Sequence, residues 1–188
     1  MRAAFALLVD PSIHNWMRKL AVEIDGKYKT GLDASKLPPH ISLKQSFIAP
    51  DLGQVETYFD ELAKTIAPFE IALMHVGFRA FPQNDGEYGV IWLEVEETHS
   101  LRNLHVRVCR ELAERFENTH APTDGVGYRF HATVALGEPA RVYQKIHVEY
   151  EHMQVDLSYT AKEIALFYSN DDSGNPGSFI TYKILPIG

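Results

Sequence analysis

The sequence predicts an α+β or α/β protein built as two similar lobes, and three observations carry that prediction. Short apolar, β-rich runs alternate with stretches of helical periodicity along the whole length. The order strand, helix, loop, strand, helix, strand occurs twice, in halves at about residues 1–80 and 88–188. No linker or compositional break separates these halves, so all 188 residues are expected to form one two-lobed domain.

Each element has its own signal. Ala3–Val9 is an apolar run behind Arg2 that has the look of a very short signal sequence. Asp10-Pro11 follows at once and no small-residue cleavage site appears, so a buried strand is expected. Asp10 can cap a helix with Pro11 in its first position, and Ile13, Met17, Leu20, Ala21 and Ile24 repeat at helical spacing. Gly26 to Pro39 reads as loop and His40–Ile48 as strand. Pro50-Asp51 opens a helix with Val55, Tyr58, Phe59, Leu62, Ala63 and Ile66 on one stripe, and Pro68 ends it. Phe69–Phe78 is strand-like, and Ala80–Tyr88, with Pro82, Asn84 and Gly86, reads as loop. Tyr88–Val95 is the next strand. Thr98 can cap a helix with Leu101, Leu104, Val108, Leu112 and Phe116 facing inward. Asn118–Gly127 is expected as loop, Tyr128–Leu136 as strand, and Glu138-Pro139 as the start of a shorter helix. Met153–Leu157, Glu163–Tyr168 and Phe179–Leu185 read as strands, with a polar turn at Asp171–Gly177.

Composition narrows the class. Apolar residues make up 45% and charged residues 23%, ordinary values for a folded water-facing protein. No apolar run approaches the roughly 20 residues that cross a bilayer, so no membrane partner is expected. Cys109 is the single cysteine, which excludes an intrachain disulfide and a thiolate zinc cluster and suggests a reducing, cytoplasmic setting. The net charge of −7 argues against binding long duplex nucleic acid, which depends on neutralising many phosphates. Lys27, Lys29, Lys36 and Lys44 against Asp33 leave a local positive excess between residues 27 and 44, for which a solvated loop is the simplest account.

Two segments carry chemistry. Pro38-Pro39-His40-Ile41-Ser42-Leu43-Lys44 and Tyr128-Arg129-Phe130-His131-Ala132-Thr133-Val134 share the pattern His, any residue, hydroxyl residue, apolar residue, and among nine histidines only His40 and His131 fit it. Successive strand side chains point to opposite faces, so His40 shares a face with Ser42, and His131 with Thr133. Strict alternation would also put Lys44 and Arg129 on the polar faces as further phosphate contacts. One such string is a weak signal, and a lone strand histidine is ordinarily structural; the matched placement in both halves is what raises the pair. If the lobes are related by an approximate two-fold axis, both faces line one cleft. Such a cleft suits a phosphodiester: one imidazole takes a proton from water while the other donates to the departing oxygen, near neutrality given an unperturbed pKa of roughly 6.5. In-line displacement favours groups on opposite sides of phosphorus, and the hydroxyls can hold the non-bridging oxygens. No cofactor or metal is required by that scheme.

At these residues the sequence resembles the 2H phosphoesterase superfamily, which includes 2′-5′ RNA ligases and 2′,3′-cyclic phosphodiesterases. HISL at His40–Leu43 and HATV at His131–Val134 are the specific matches. The closing strand–turn–strand extends the likeness over nearly the whole chain. The resemblance implies an α+β fold with antiparallel sheets around a central cleft and helices outside. It implies His40 and His131 as acid and base, Ser42 and Thr133 as phosphate-binding residues, and a nucleotide or RNA terminus with a cyclic or 2′-5′ phosphate as partner. Ser42 departs mildly from the commoner Thr but keeps the hydroxyl. Aromatic residues often stack the base in such proteins; Phe5, Phe47 and Tyr168 are candidates, with core packing the simpler role for each.

The expected activity is therefore cyclic or 2′-5′ phosphodiester hydrolysis in RNA processing, by a monomer. Ligation in the same site, or non-catalytic binding of phosphorylated ends, stands as the alternative. Which histidine is acid and which base is open. The spacings His99/His105 and His147/His152 do not match zinc sites, and Cys109 reads as a packing residue. Asp171–Asn175 lacks the downstream glutamate of a calcium loop.

Overall fold

The computed structural model describes residues 1–83, 86–172 and 176–188. In chain order the elements are β1 (Arg2–Leu8), α1 (Pro11–Tyr28), β2 (His40–Ile48), α2 (Leu52–Ala63), β3 (Phe69–Gln83), β4 (Gly86–Val95), α3 (His99–Arg115), β5 (His131–Gly137), α4 (Ala140–Tyr150), β6 (Leu157–Ala161), β7 (Glu163–Ser169) and β8 (Ile180–Pro186). Asp10, Asp51 and Thr98 cap the first three helices as their positions predict. Each side chain accepts a backbone N–H three residues on, at 2.9, 2.9 and 3.2 Å. The predicted stripes of α1 and α2 are buried, as are Leu101, Leu104, Val108 and Leu112 of α3. Burying each such large apolar side chain contributes roughly 1.5–3 kcal/mol. Among the described residues no helix is long and apolar enough to cross a membrane.

All strand pairings are antiparallel, and the strands run β6-β3-β4-β5-β2-β1-β7-β8 across the sheet. The protein is α+β. The sheet divides into two groups of four strands, β6-β3-β4-β5 and β2-β1-β7-β8, joined in the middle, among the described residues, by the single pairing Ile41↔Ala132. These groups are not the two sequence halves. β3, from the first half, pairs with β4 and β6, while β7 and β8, from the second, extend the sheet beyond β1. Each group thus draws strands from both halves, which a reading of consecutive elements does not reveal. The helices pack behind the sheet, α1 and α4 against the β5 side, α2 and α3 against the β2 side, around one continuous hydrophobic core. A smaller apolar cluster of Ala6, Leu8, Ala165, Phe167 and Phe179 lies apart from it.

Three expectations need correction. Ala80–Tyr88 is not a loop: β3 continues to Gln83 and β4 starts at Gly86, with Phe81↔Tyr88 and Pro82↔Glu87 paired. Pro82 is tolerated because β6 pairs with β3 only at Phe69–Leu73, leaving the other edge of β3 open where the missing N–H falls. Asn84 lies outside the described residues, as do Ser173–Asn175 of the predicted turn. The sixth strand is Leu157–Ala161 rather than Met153–Leu157; Met153 and Val155 pack against the core without pairing. β5 starts at His131, not Tyr128, because the preceding backbone is engaged elsewhere. Arg102 donates to the Gly125 and Tyr128 carbonyls (2.8 and 2.6 Å), while Phe130 keeps one last bond to β4, accepting the Val95 N–H at 3.2 Å.

Candidate active site

His40 and His131 begin the two central strands, β2 and β5. In an antiparallel pair residue numbers across the ladder sum to a constant. Extending the Ile41↔Ala132 register by one residue either way therefore sets His40 opposite Thr133 and Ser42 opposite His131. Ile41, Leu43, Ala132 and Val134 are buried behind them, while the two histidines and two hydroxyl residues are each partly exposed on the other face. All four line one cavity of about 240 Å³. An adjoining cavity of about 480 Å³ shares His131, Thr133, Gln45 and Leu136 with it.

The local geometry of the two histidines is the same. Nδ1 of His40 donates to the Pro38 carbonyl, and Nδ1 of His131 to the Arg129 carbonyl, both at 2.8 Å and both two residues upstream. That bond fixes the tautomer and leaves Nε2 as the nitrogen free of it. The Pro38–His40 segment is itself held by Arg18, which donates to the Leu37 carbonyl at 2.6 Å, and by the Val9 N–H on the Pro39 carbonyl. The His40 ring meets the edge of Phe167 at 4.7 Å, and the His131 ring lies on Trp92 at 4.6 Å. Burial pushes His40 down to about 4, against the Pro38 bond that raises it; the charges of His131 and Arg18 lower it further. Burial also lowers His131, partly offset by the Arg129 carbonyl and by Glu94.

Lys44 is not in this cleft. Between Ser42 and Lys44 the β1 ladder slips: Ala6 pairs with Ser42, but Phe5 pairs with Lys44, leaving Leu43 as an extra residue. This bulge breaks strict alternation and turns Lys44 into the core side with Phe5 and Phe47. β5 carries the same device at the same place. Trp92 pairs with Thr133 and Ile91 with Ala135, so Val134 is the extra residue. Each His-x-hydroxyl-apolar segment thus ends in a bulge, and the side chains returned to the cleft are Gln45 and Leu136, which line both cavities. The paired bulges and their consequence for Lys44 have no signature in composition or spacing.

Lys44 instead forms a buried ion pair with Asp124, which also accepts the Ala121 N–H at 2.8 Å. His105, fully buried, bridges the same region: Nδ1 donates to the Leu43 carbonyl (2.8 Å) and Nε2 accepts the Gly125 N–H (3.1 Å). His105, Cys109 and Asp124 are also close enough to share a cation. The donor set does not suit one, because both imidazole nitrogens are engaged and the Lys44 ammonium already lies on the carboxylate. Burial, with Asp124 nearby, pushes the Cys109 thiol up to about 11, consistent with a packing role. The other lysines of the positive segment are spent locally: Lys27 on Glu149, Lys36 on Asp33, and Lys29 on the Gly26 carbonyl.

Arg129 does line the larger cavity, with its guanidinium on Glu94 at 2.8 Å. Trp92 donates to the same Glu94 oxygen at 2.8 Å. Gly77 makes room for that arrangement, since a Cβ there would meet Trp92 and lie 2.6 Å from Glu94 Oε1. Of the aromatic candidates, Phe5 and Phe47 are core residues and Tyr168 packs on Tyr182, so none faces the cleft. The aromatic lining comes from Phe81, Tyr88, Trp92 and Tyr128 on one side and Phe167 and Phe179 on the other. Alternation along β4 does place Tyr88 and Trp92 on one face, a signal that could have found them.

With this geometry in place, the comparisons with known proteins decide the family. The sequence model of the 2′-5′ RNA ligase superfamily matches residues 9–173. The chain belongs to that superfamily. It is 24% identical over 190 residues to "Putative phosphoesterase GWCH70_0799" of Geobacillus sp. (strain WCH70), covering 100% of this chain and 97% of the relative. Among solved structures it shares its fold with TT0787 of Thermus thermophilus, at TM-score 0.56 and 16% identity over 100% and 98% of the two chains. Escherichia coli LigT complexed with NADP+ matches at TM-score 0.55 and 16% identity over 99% and 96%.

Proposed function

We propose that this member of the 2′-5′ RNA ligase superfamily hydrolyses 2′,3′-cyclic phosphates or 2′-5′ phosphodiester linkages in nucleotides or RNA ends, with His40 and His131 as the acid–base pair. The observation that carries the reading is the square of His40, Ser42, His131 and Thr133 across the central strand pair, with both Nδ1–H groups tied to backbone and both Nε2 atoms left to react. A phosphate seated there has an imidazole on either side. A water oxygen bonds to phosphorus as the bond to one ribose oxygen breaks. One Nε2 accepts the water's proton, the other gives its proton to the leaving oxygen, and solvent exchange restores the starting forms. Ser42 and Thr133 donate to the non-bridging oxygens as charge accumulates there. The nucleotide class also fits relatives of the same fold, since LigT has been crystallised with NADP+, 3′-AMP and ATP.

The test is incubation with 2′,3′-cyclic nucleotides and 2′-5′ dinucleotides in excess chelator. Turnover to monophosphate products that persists in chelator is expected, because imidazoles supply both proton transfers and the hydroxyls hold the charge. Binding without turnover across that panel would overturn hydrolysis in favour of a binder of phosphorylated ends.

The pH profile follows from the burial of the pair. The base must be deprotonated, so the rate falls as pH drops through its pKa; the acid must be protonated, so the rate falls as pH rises through its own. Both free-enzyme values lie below the ordinary 6.5, His40 at about 4. Whichever ring plays which part, the kcat/KM bell is expected to centre acid of pH 6.5. A bound phosphodiester anion raises both values, so the kcat profile is expected to lie alkaline of the kcat/KM profile. Rate measurements from pH 4 to 9 check both shifts.

A further inference from the structure

The larger cavity extends from His131 and Thr133 away from His40, and beyond those two residues the proton-transfer scheme makes no use of it. On the cleft face β5 carries His131 and Thr133, β4 carries Tyr88, Val90 and Trp92, and β3 carries Arg79 and Phe81. Arg79 pairs with Val90, two strands across from β5 and four residues along from Glu94, the partner of His131, so the two backbones lie roughly 17 Å apart at about 4.8 Å per strand and 3.4 Å per residue, a gap that the arginine side chain only partly closes. That is too far to be a first contact for the scissile phosphate and suited to a group one linkage beyond it. Its guanidinium lies over Phe81 at 5.0 Å, and among the described residues no carboxylate pairs with it. Arg129 lies on the same wall, 6.0 Å from the Trp92 ring, with its charge offset by buried Glu94. With Glu94 offsetting Arg129 and Lys44 offsetting Asp124, the positive charge left over on this wall among the described residues is that of Arg79, in a protein of net charge −7. An uncompensated arginine facing an aromatic-walled cavity is a site for an anion attached to a planar ring.

We infer that this cavity is a second-phosphate subsite. Arg79, with Arg129, holds the phosphodiester next to the scissile phosphate, and Trp92, Tyr88 and Phe81 carry the nucleoside between them. This rests on the proposed reaction and narrows its substrate to an RNA terminus of at least two nucleotides, rather than a cyclic mononucleotide.

The test compares a 2′,3′-cyclic mononucleotide with a ribodinucleotide ending in the same cyclic phosphate. Wild-type kcat/KM is expected to favour the dinucleotide on the order of tenfold, through KM, with the advantage shrinking as salt rises. Arg79→Ala is expected to collapse that ratio towards one and Arg79→Lys to restore part of it, because a point charge replaces the planar fork. A wild-type ratio near one, or a ratio unchanged in Arg79→Ala, overturns the subsite. Calorimetric affinities for a 3′-phosphorylated dinucleotide against a 3′-mononucleotide decide the matter independently of turnover. Absence of hydrolysis with a preserved, Arg79-dependent affinity ratio would overturn the reaction and leave the subsite standing.

Discussion

His40→Ala and His131→Ala are each expected to lower kcat/KM by about 10²–10⁴, the range over which a positioned proton donor or acceptor accelerates reactions. The two rings act on one displacement, so their losses are not expected to add. Once one proton transfer is missing, the other group has little left to assist, and the double variant is expected to fall close to the weaker single variant. Folding should survive both changes. Each residue is only partly buried, and its Nδ1–H bonds a carbonyl two residues away on the same chain. Steady-state kinetics on the cyclic nucleotide, with far-UV circular dichroism to verify the fold, make the check. Turnover within a few-fold of wild type in both variants would remove the acid–base pair from the mechanism.

The near equivalence of the two histidines shows how much of this site a sequence can hold. His40, Ser42, His131 and Thr133 are legible because alternation with a period of two is a local property, and nothing intervenes between each histidine and its hydroxyl. Their meeting is not local. It depends on Ile41 pairing with Ala132, far along the chain, and only the repeated order of elements hinted at it. Lys44 is one step beyond the reach of alternation, because the bulge at Leu43 reverses the faces of Lys44 and Gln45 until a second register shift restores them by Phe47; the same rule that finds Ser42 therefore misplaces Lys44. Arg129 precedes its histidine and is untouched by the bulge, so it is found lining the cleft. Pro82 and Gly86 have the look of breakers, which hides the extension of β3 and β4 that carries Phe81 and Tyr88 to the far cavity. Propensity cannot tell an open strand edge, where proline is harmless, from a paired one. The exchange of strands between the two groups is likewise settled by long-range pairing alone.

The misplaced lysine leads to the second large effect, on stability rather than chemistry. The Lys44–Asp124 pair is almost fully removed from water, with 1% and 6% of the two side chains exposed. Desolvating both charges offsets most of their attraction, so the pair as a unit adds little stability, whereas removing one partner strands the other. Lys44→Met is therefore expected to cost about 3–5 kcal/mol, lowering Tm on the order of 10 °C in a chain of this size. Replacing both partners, Lys44→Met with Asp124→Leu, is expected to recover most of that loss despite removing more polar contacts, because no buried charge remains. The two changes should separate in function. Asp124 belongs to the segment that continues through Gly127, Tyr128 and Arg129 along the wall of the larger cavity, and it fixes Ala121 as well. Tyr128 in turn donates to the Ser42 carbonyl at 3.1 Å and accepts from Gln45 at 3.0 Å, tying that wall to the strand bearing His40. The double variant should thus regain Tm while keeping a raised KM for nucleotide substrates, with kcat changed less. Denaturant unfolding and steady-state kinetics on the single and double variants measure both quantities. If Lys44→Met alone left stability within about 1 kcal/mol of wild type, far short of the cost of an orphaned buried charge, the pair would not hold the cleft wall as described.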